Sequence, residues 1–201
     1  PAAFARDPAL VWGWYEWRRM QVLRAEPNAA HRAIATLAAR VPALTVITQN
    51  VDDLHERAGS TGVVHLHGSL HAPRCSACDE PFALPHAPPC EPEGGRRLPP
   101  PRCAHCAAAV RPGVVWFGES LPAVPWLRAQ RAVEDCDLLL TVGTSGLVHP
   151  AAGLPALARR HGAVVIVVNP VATELDALAQ HVLRGPAGEV LPALLAAAFG
   201  D

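Results

Sequence analysis

Charge is sparse in this sequence. Lysine, arginine, aspartate and glutamate make up 17% of its residues and nearly cancel, for a formal net charge of −1. Such a balance offers a polyanion no electrostatic footprint, so nucleic acid is not expected as a partner. Long apolar runs are missing too: none reaches the roughly 20 residues that cross a bilayer, so no membrane is expected either. The first residues lack the charged and apolar regions of a secretory signal, and a cytoplasmic protein is expected. Aromatic residues are scarce at 5%, and Tyr15 is the only tyrosine. Nothing before Leu44 supplies the strand, glycine-rich turn and helix with which a dinucleotide-binding fold opens.

What is present describes a folded chain. Half of the 201 residues are hydrophobic, enough for one ordinary core with a small module attached. Residues 44–70 organise it. An apolar run at 44–48 breaks into a polar loop with Gln49, Asn50, Asp52 and Asp53, a short helix at 54–58 ends at Gly59, and a second strand at 63–66 delivers His67 and Gly68. In an open α/β sheet, ligands bind beyond the carboxyl ends of the strands, where both polar clusters fall. A well-capped loop with a hydrogen-bonded histidine is the plainer alternative. His65 lies on the same strand face as His67, and the residues alone do not choose between them.

Upstream, residues 8–25 read as a helix with an apolar face of Leu10, Val11, Trp14, Trp17 and Val22, followed by a second helix at 29–39. Tyr15 and Arg18 fall on one helix face, where a phenol and a guanidinium together suit a carboxylate. A solvent-facing Arg on an ordinary amphipathic helix explains the spacing equally well. Arg19 points to a different face.

Residues 75–106 are rich in Pro, Gly and charge and hold CSAC at 75–78 and CAHC at 103–106. Two such knuckles complete a tetrahedral thiolate site, so Cys75, Cys78, Cys103 and Cys106 are the candidate ligands of a structural zinc. Four cysteines leave no open position for catalysis. Cys90, His86 and His105 lie close enough to compete, and a redox CxxC is the weaker alternative.

From Val114 the α/β pattern resumes: a short strand in VVWFGES, a helix at 124–134, a buried strand running into Gly143-Thr144-Ser145, a helix at 155–161, a fully buried strand ending at Asn169, a short strand at 181–183 and a last helix from 188. Strands alternating with helices predict an α/β fold with a parallel, doubly wound sheet.

In this order TQNVDDLH, HLHGSL, the paired CxxC motifs, VVWFGE, VGTS and VVNP closely resemble the sirtuin family, over nearly the whole chain. WYEWRR resembles the class III branch, whose Tyr-x-x-Arg pair reads acidic acyl groups. The resemblance implies a Rossmann-like domain, here without its first strand and phosphate loop, interrupted by a small zinc-binding domain: residues 1–72 and 113–201 for the former, 73–112 for the latter. It implies NAD-dependent removal of succinyl, malonyl or acetyl groups from protein lysines, giving nicotinamide and O-acyl-ADP-ribose. His67 would be the general base toward a ribose hydroxyl. Asn50 and Asp52 would meet the nicotinamide amide and an ordered water, and Gln49 the nicotinamide ribose. Gly143, Thr144 and Ser145 would receive phosphate and ribose oxygens, Asn169 the adenosine ribose, and Ala187 the adenine through its backbone. Val115, Phe117, Gly118 and Glu119 would pair with the substrate peptide, and Tyr15 and Arg18 would bind the acyl carboxylate. The chain begins after the point where the family's glycine-rich phosphate loop is expected, which raises a second expectation, an inactive fragment that holds zinc and binds acylated peptides.

Overall fold

The structure, a computed structural model, describes residues 1–85 and 89–200; His86, one of the competing metal ligands, lies outside them. Its elements are α1 (Ala2–Arg6), α2 (Pro8–Arg24), α3 (Ala29–Ala38), β1 (Ile47–Thr48), α4 (Leu54–Arg57), β2 (Val64–His65), β3 (Arg74–Cys75), β4 (Val110–Arg111), α5 (Ala123–Asp135), β5 (Leu138–Val142), α6 (Leu154–Arg160), β6 (Val164–Val168), β7 (His181–Leu183) and α7 (Ala187–Phe199). The chain divides into two compact units. One comprises Pro1–Glu26, Thr48–Leu54 and His65–Pro122, the other Pro27–Ile47, His55–Val64 and Ala123–Asp201. Among the described residues no helix is long and apolar enough to cross a membrane.

The second unit holds the expected parallel sheet, in the order β5-β6-β7, with Leu138 opposite Val164 and Val168 opposite Leu183. The central strand is the driest: Val165, Val167 and Val168 are at most 1% exposed, which a run of β-branched residues covered on both faces explains. Its first residue, Val164, remains 37% exposed, and Leu138 on β5 46%, so neither strand is buried along its full length. Helices α3 and α7 bury Ala30, Ala33, Leu191 and Leu195 against Val168. Helix α3 begins at Asn28, whose side chain accepts the Ala30 and His31 amides while the His31 ring returns to the Asn28 amide, so both ends of the cap are satisfied.

In the first unit α2 starts at Pro8 as the sequence predicts, and the structure adds a cap the sequence reading did not name: the Asp7 carboxylate accepts the Leu10 amide. Its inner face differs from expectation. Trp12 and Met20 are buried, whereas Leu10 and Trp14 are 53% and 43% exposed. Gly13 explains the shift: a Cβ there would lie 1.7 Å from the Arg96 carbonyl oxygen, so the segment around residue 96 rests directly on the helix backbone. Strands β3 and β4 pair antiparallel, Cys75 opposite Val110. The strand expected in VVWFGES is absent. A single bridge joins Val114 to Gly68, and a turn follows at Phe117 and Gly118. Gly68 has φ +75°, and a Cβ on it would meet the Gly113 oxygen at 2.1 Å, so only glycine allows this crossing.

Candidate active site

The loop after β1 is built by its own polar side chains. Thr48 Oγ1 accepts the Asn50 amide at 3.0 Å, and Asp52 caps α4 by accepting the Leu54 amide at 3.1 Å. The backbone carbonyls of Gln49 and Asn50 face the next strand segment. His67 Nδ1 lies 3.0 Å from the Gln49 oxygen, and His65 Nδ1 lies 3.4 Å from the Asn50 oxygen. A carbonyl only accepts, so His67 carries its proton on Nδ1 and keeps the Nε2 lone pair as a base site. His65 makes the longer contact of the two.

Beside His67 runs the loop that replaces the expected strand. The Val115 amide donates to the His67 carbonyl at 2.8 Å. Two residues on, Phe117 is 91% exposed. Glu119 folds back onto the loop: its carboxylate accepts two hydrogen bonds from Arg111, at 2.6 and 2.8 Å, and the Trp116 amide at 2.9 Å. Pairing with Arg111 holds its carboxyl at about 2, well below the usual range. The Arg111 guanidinium also reaches the Val114 carbonyl at 3.1 Å and lies 3.6 Å from the centre of the Trp116 ring. The Trp116 indole N–H donates to the Tyr15 hydroxyl at 2.9 Å. Burial raises the Tyr15 phenol above its ordinary value. Arg18 is exposed, 5.8 Å from the Trp14 ring centre. Arg19 is 5% exposed and paired with Glu16 at 2.8 Å, so it is spent on the fold. Arg111 is the residue here that sequence reasoning missed, together with the contact of Trp116 with Tyr15. An Arg eight positions before a Glu, across a Pro-Gly turn, was the signal, and it is a weak one.

In the same unit, the Sγ atoms of Cys75, Cys78, Cys103 and Cys106 lie within 4.8 Å of one another. The Cys75–Cys106, Cys78–Cys106 and Cys78–Cys103 separations of 3.4, 3.5 and 3.7 Å are near the edge of about 3.8 Å that a tetrahedron with Zn–S bonds of about 2.3 Å requires. Amides of Cys78 and Ala77 donate to Cys75 Sγ and, in that order of weight, lower its thiol to about 6. The His105 amide donates to Cys103 Sγ at 3.4 Å. Amides turned toward sulfur stabilise thiolates, so the donor set fits zinc. Cys90 and His105 stand outside the cluster.

The second unit gathers its candidates at the carboxyl ends of the parallel strands. Gly143, Ser145 and Asn169 line an open cavity of about 680 Å³ together with Leu147, Val171 and Thr173. Asn169 is 6% exposed and donates through Nδ2 to the Thr144 carbonyl at 2.8 Å, tying the turn after β5 to the end of β6. Arg184, just past β7, donates to the carbonyls of Asn169 and Val171 and pairs with Asp176. Ala187 is not among these lining residues; it opens α7 and packs against the helical core.

Residues 1–150 match the Sir2 family model. The chain belongs to the Sir2 family. A curated relative from Methylococcus capsulatus, named NAD-dependent protein deacylase, is 66% identical over 98% of this sirtuin and 77% of its own length. Among solved structures, one described as a Sir2 homolog–NAD complex superposes with a TM-score of 0.89 at 47% identity, covering 97% of this sirtuin and 73% of that chain. Another, described as Sir2–p53 peptide–NAD+, superposes at 0.77 with 30% identity, covering 90% and 74%. The expected family and fold are thereby established.

Proposed function

We propose that this sirtuin is an NAD-dependent protein-lysine deacylase that releases nicotinamide and forms O-acyl-ADP-ribose. The observation that carries the reading is the 3.0 Å contact of His67 Nδ1 with the Gln49 carbonyl, which places the proton on Nδ1 and leaves Nε2 to accept a proton from a ribose hydroxyl. The names and bound NAD of the relatives support the same conclusion. Their match over almost the entire chain gives no support to an inactive acyl-peptide-binding fragment.

In this reading Gln49, Asn50 and Asp52 serve the nicotinamide and its ribose. Gly143, Thr144, Ser145 and Asn169 serve the phosphates and the adenosine ribose, with Ala187 toward adenine. The exposed loop carrying Val115, Phe117, Gly118 and Glu119 receives the substrate peptide through its main chain, which asks little of the peptide's sequence. Cys75, Cys78, Cys103 and Cys106 hold zinc in residues 73–112, where it supplies structure and no open coordination position. Reduced cysteines in paired knuckles suit a cytoplasmic location.

Tyr15 and Arg18 assign the acyl group to the acidic class, succinyl or malonyl, with acetyl-lysine as the lesser substrate. The test compares nicotinamide release from succinyl- and acetyl-lysine peptides of one sequence. Arg18→Met is expected to raise KM for the succinyl peptide by about a hundredfold, the worth of a charge-assisted bidentate contact. Equal losses on both peptides would make Arg18 an ordinary surface residue.

A further inference from the structure

We propose that Trp116 is a specificity-determining positioning residue: its indole N–H, donated to the Tyr15 oxygen, commits the Tyr15 hydroxyl to donate its hydrogen to an acidic acyl group. This rests on the reading of Tyr15 and Arg18 as the acyl-recognition pair.

An indole nitrogen donates and cannot accept, so in the 2.9 Å contact the Tyr15 oxygen is the acceptor. A phenol has one hydrogen and two lone pairs. With one lone pair held by Trp116, the hydrogen turns elsewhere, and none of the hydrogen bonds among the described residues takes it. A phenol without this partner rotates and serves either as donor or acceptor; here it presents a donor. Arg18, one helical turn along on the same face, adds positive charge that acts on Tyr15. A fixed O–H donor beside a guanidinium matches a carboxylate and gives a methyl group nothing.

The indole is itself held in place. Its face lies against Arg111 at 3.6 Å, and Phe4 sits 5.4 Å away on centroids. Arg111 is anchored by Glu119 and the Val114 carbonyl, and Glu119 also binds the Trp116 amide. Ring, backbone and anchor all belong to the loop proposed to receive the peptide, so one rigid piece fixes both the lysine's track and the hydroxyl that reads its acyl group.

The experiment compares the wild type, Trp116→Phe, Tyr15→Phe and the double variant on succinyl- and acetyl-lysine peptides of one sequence. Phenylalanine keeps an aromatic ring against Arg111 while removing the N–H donor along with one of the two fused rings. The ratio of KM for succinyl over acetyl peptide is expected to rise about tenfold in Trp116→Phe, the worth of one charge-assisted bond, with no further rise in the double variant. If Tyr15→Phe raises the ratio and Trp116→Phe does not, the inference is wrong and the acyl reading stands. If Tyr15→Phe leaves the ratio unchanged, both fall. A second readout needs neither NAD nor peptide. Tyr15 is the sole tyrosine, so ultraviolet absorbance follows its ionisation alone, in the presence of Arg18, Arg111 and Glu119. Losing the indole donor removes a stabiliser of the phenolate, and the titration is expected to move upward in pH. Local unfolding would move it downward toward the ordinary value, and a downward or absent shift overturns the proposal.

Discussion

Removing the charge of Glu119 probes a carboxylate that accepts three hydrogen bonds in the first unit. Its side chain is 21% exposed, and its carboxyl stands at about 2 against an ordinary 4.5. The difference corresponds to roughly 3 kcal/mol at neutral pH, taking about 1.4 kcal/mol per pH unit. Because the folded value is the lower one, this contribution is complete above pH 4.5 and is lost as the pH falls from there toward 2. Glu119→Gln preserves the shape but leaves Arg111, whose side chain is 11% exposed, without a counter-charge. We expect a loss of about 3 kcal/mol at pH 7, shrinking as the pH approaches 3. Urea unfolding followed by tryptophan fluorescence reads it well, since Trp12, Trp14, Trp17 and Trp116 lie in the first unit and Trp126 alone in the second. A loss below about 1 kcal/mol at pH 7, typical of an exposed pair, would refute the reasoning, as would a loss that does not depend on pH.

Zinc should be found at one ion per chain, and Cys103→Ser should abolish it and lower the melting temperature of the first unit; full metal content in that variant, by elemental analysis, would contradict the four-thiolate site. Gly68→Ala places a Cβ 2.1 Å from a backbone oxygen at positive φ, so it should cost more than about 3 kcal/mol or prevent soluble expression, and a wild-type melting temperature would show that the crossing is looser than drawn. Asn169→Ala removes the hydrogen bond to the Thr144 carbonyl and should weaken NAD binding by about tenfold in calorimetry, whereas unchanged affinity would remove Asn169 from the nucleotide site.

Much of this molecule is legible in the sequence because its chemistry is local. The CxxC knuckles and the Gly-Thr-Ser and Asn turns after β-branched runs each lie within a few residues, where spacing fixes geometry. Helices α3 and α5 and strands β5 to β7 appear within a residue or two of their expected places for the same reason. What escaped depends on partners far apart in the chain. The side of α2 that is buried is decided by the segment near residue 96 lying on Gly13, which no periodicity within the helix encodes. VVWFGES opens with a strand-forming apolar run, yet Glu119 bends it back to Arg111, and a part-buried ion pair outweighs a short segment's β-propensity. Tyr15 and Trp116, 101 positions apart, meet through packing alone. His65 and His67 stay open on the residues alone; the family resemblance names His67, and the two rings face the Asn50 and Gln49 carbonyls respectively.

The central claim is that His67 is the base of an NAD-dependent deacylase, and the most direct measurement is deacylation of a succinyl-lysine peptide by wild type, His67→Ala and His65→Ala. The chain contains no lysine, so every lysine released belongs to the peptide. The account predicts NAD-dependent turnover in the wild type, a loss of about a hundredfold or more in His67→Ala, and near-normal turnover in His65→Ala. Turnover that survives His67→Ala, or that is lost only in His65→Ala, would contradict it.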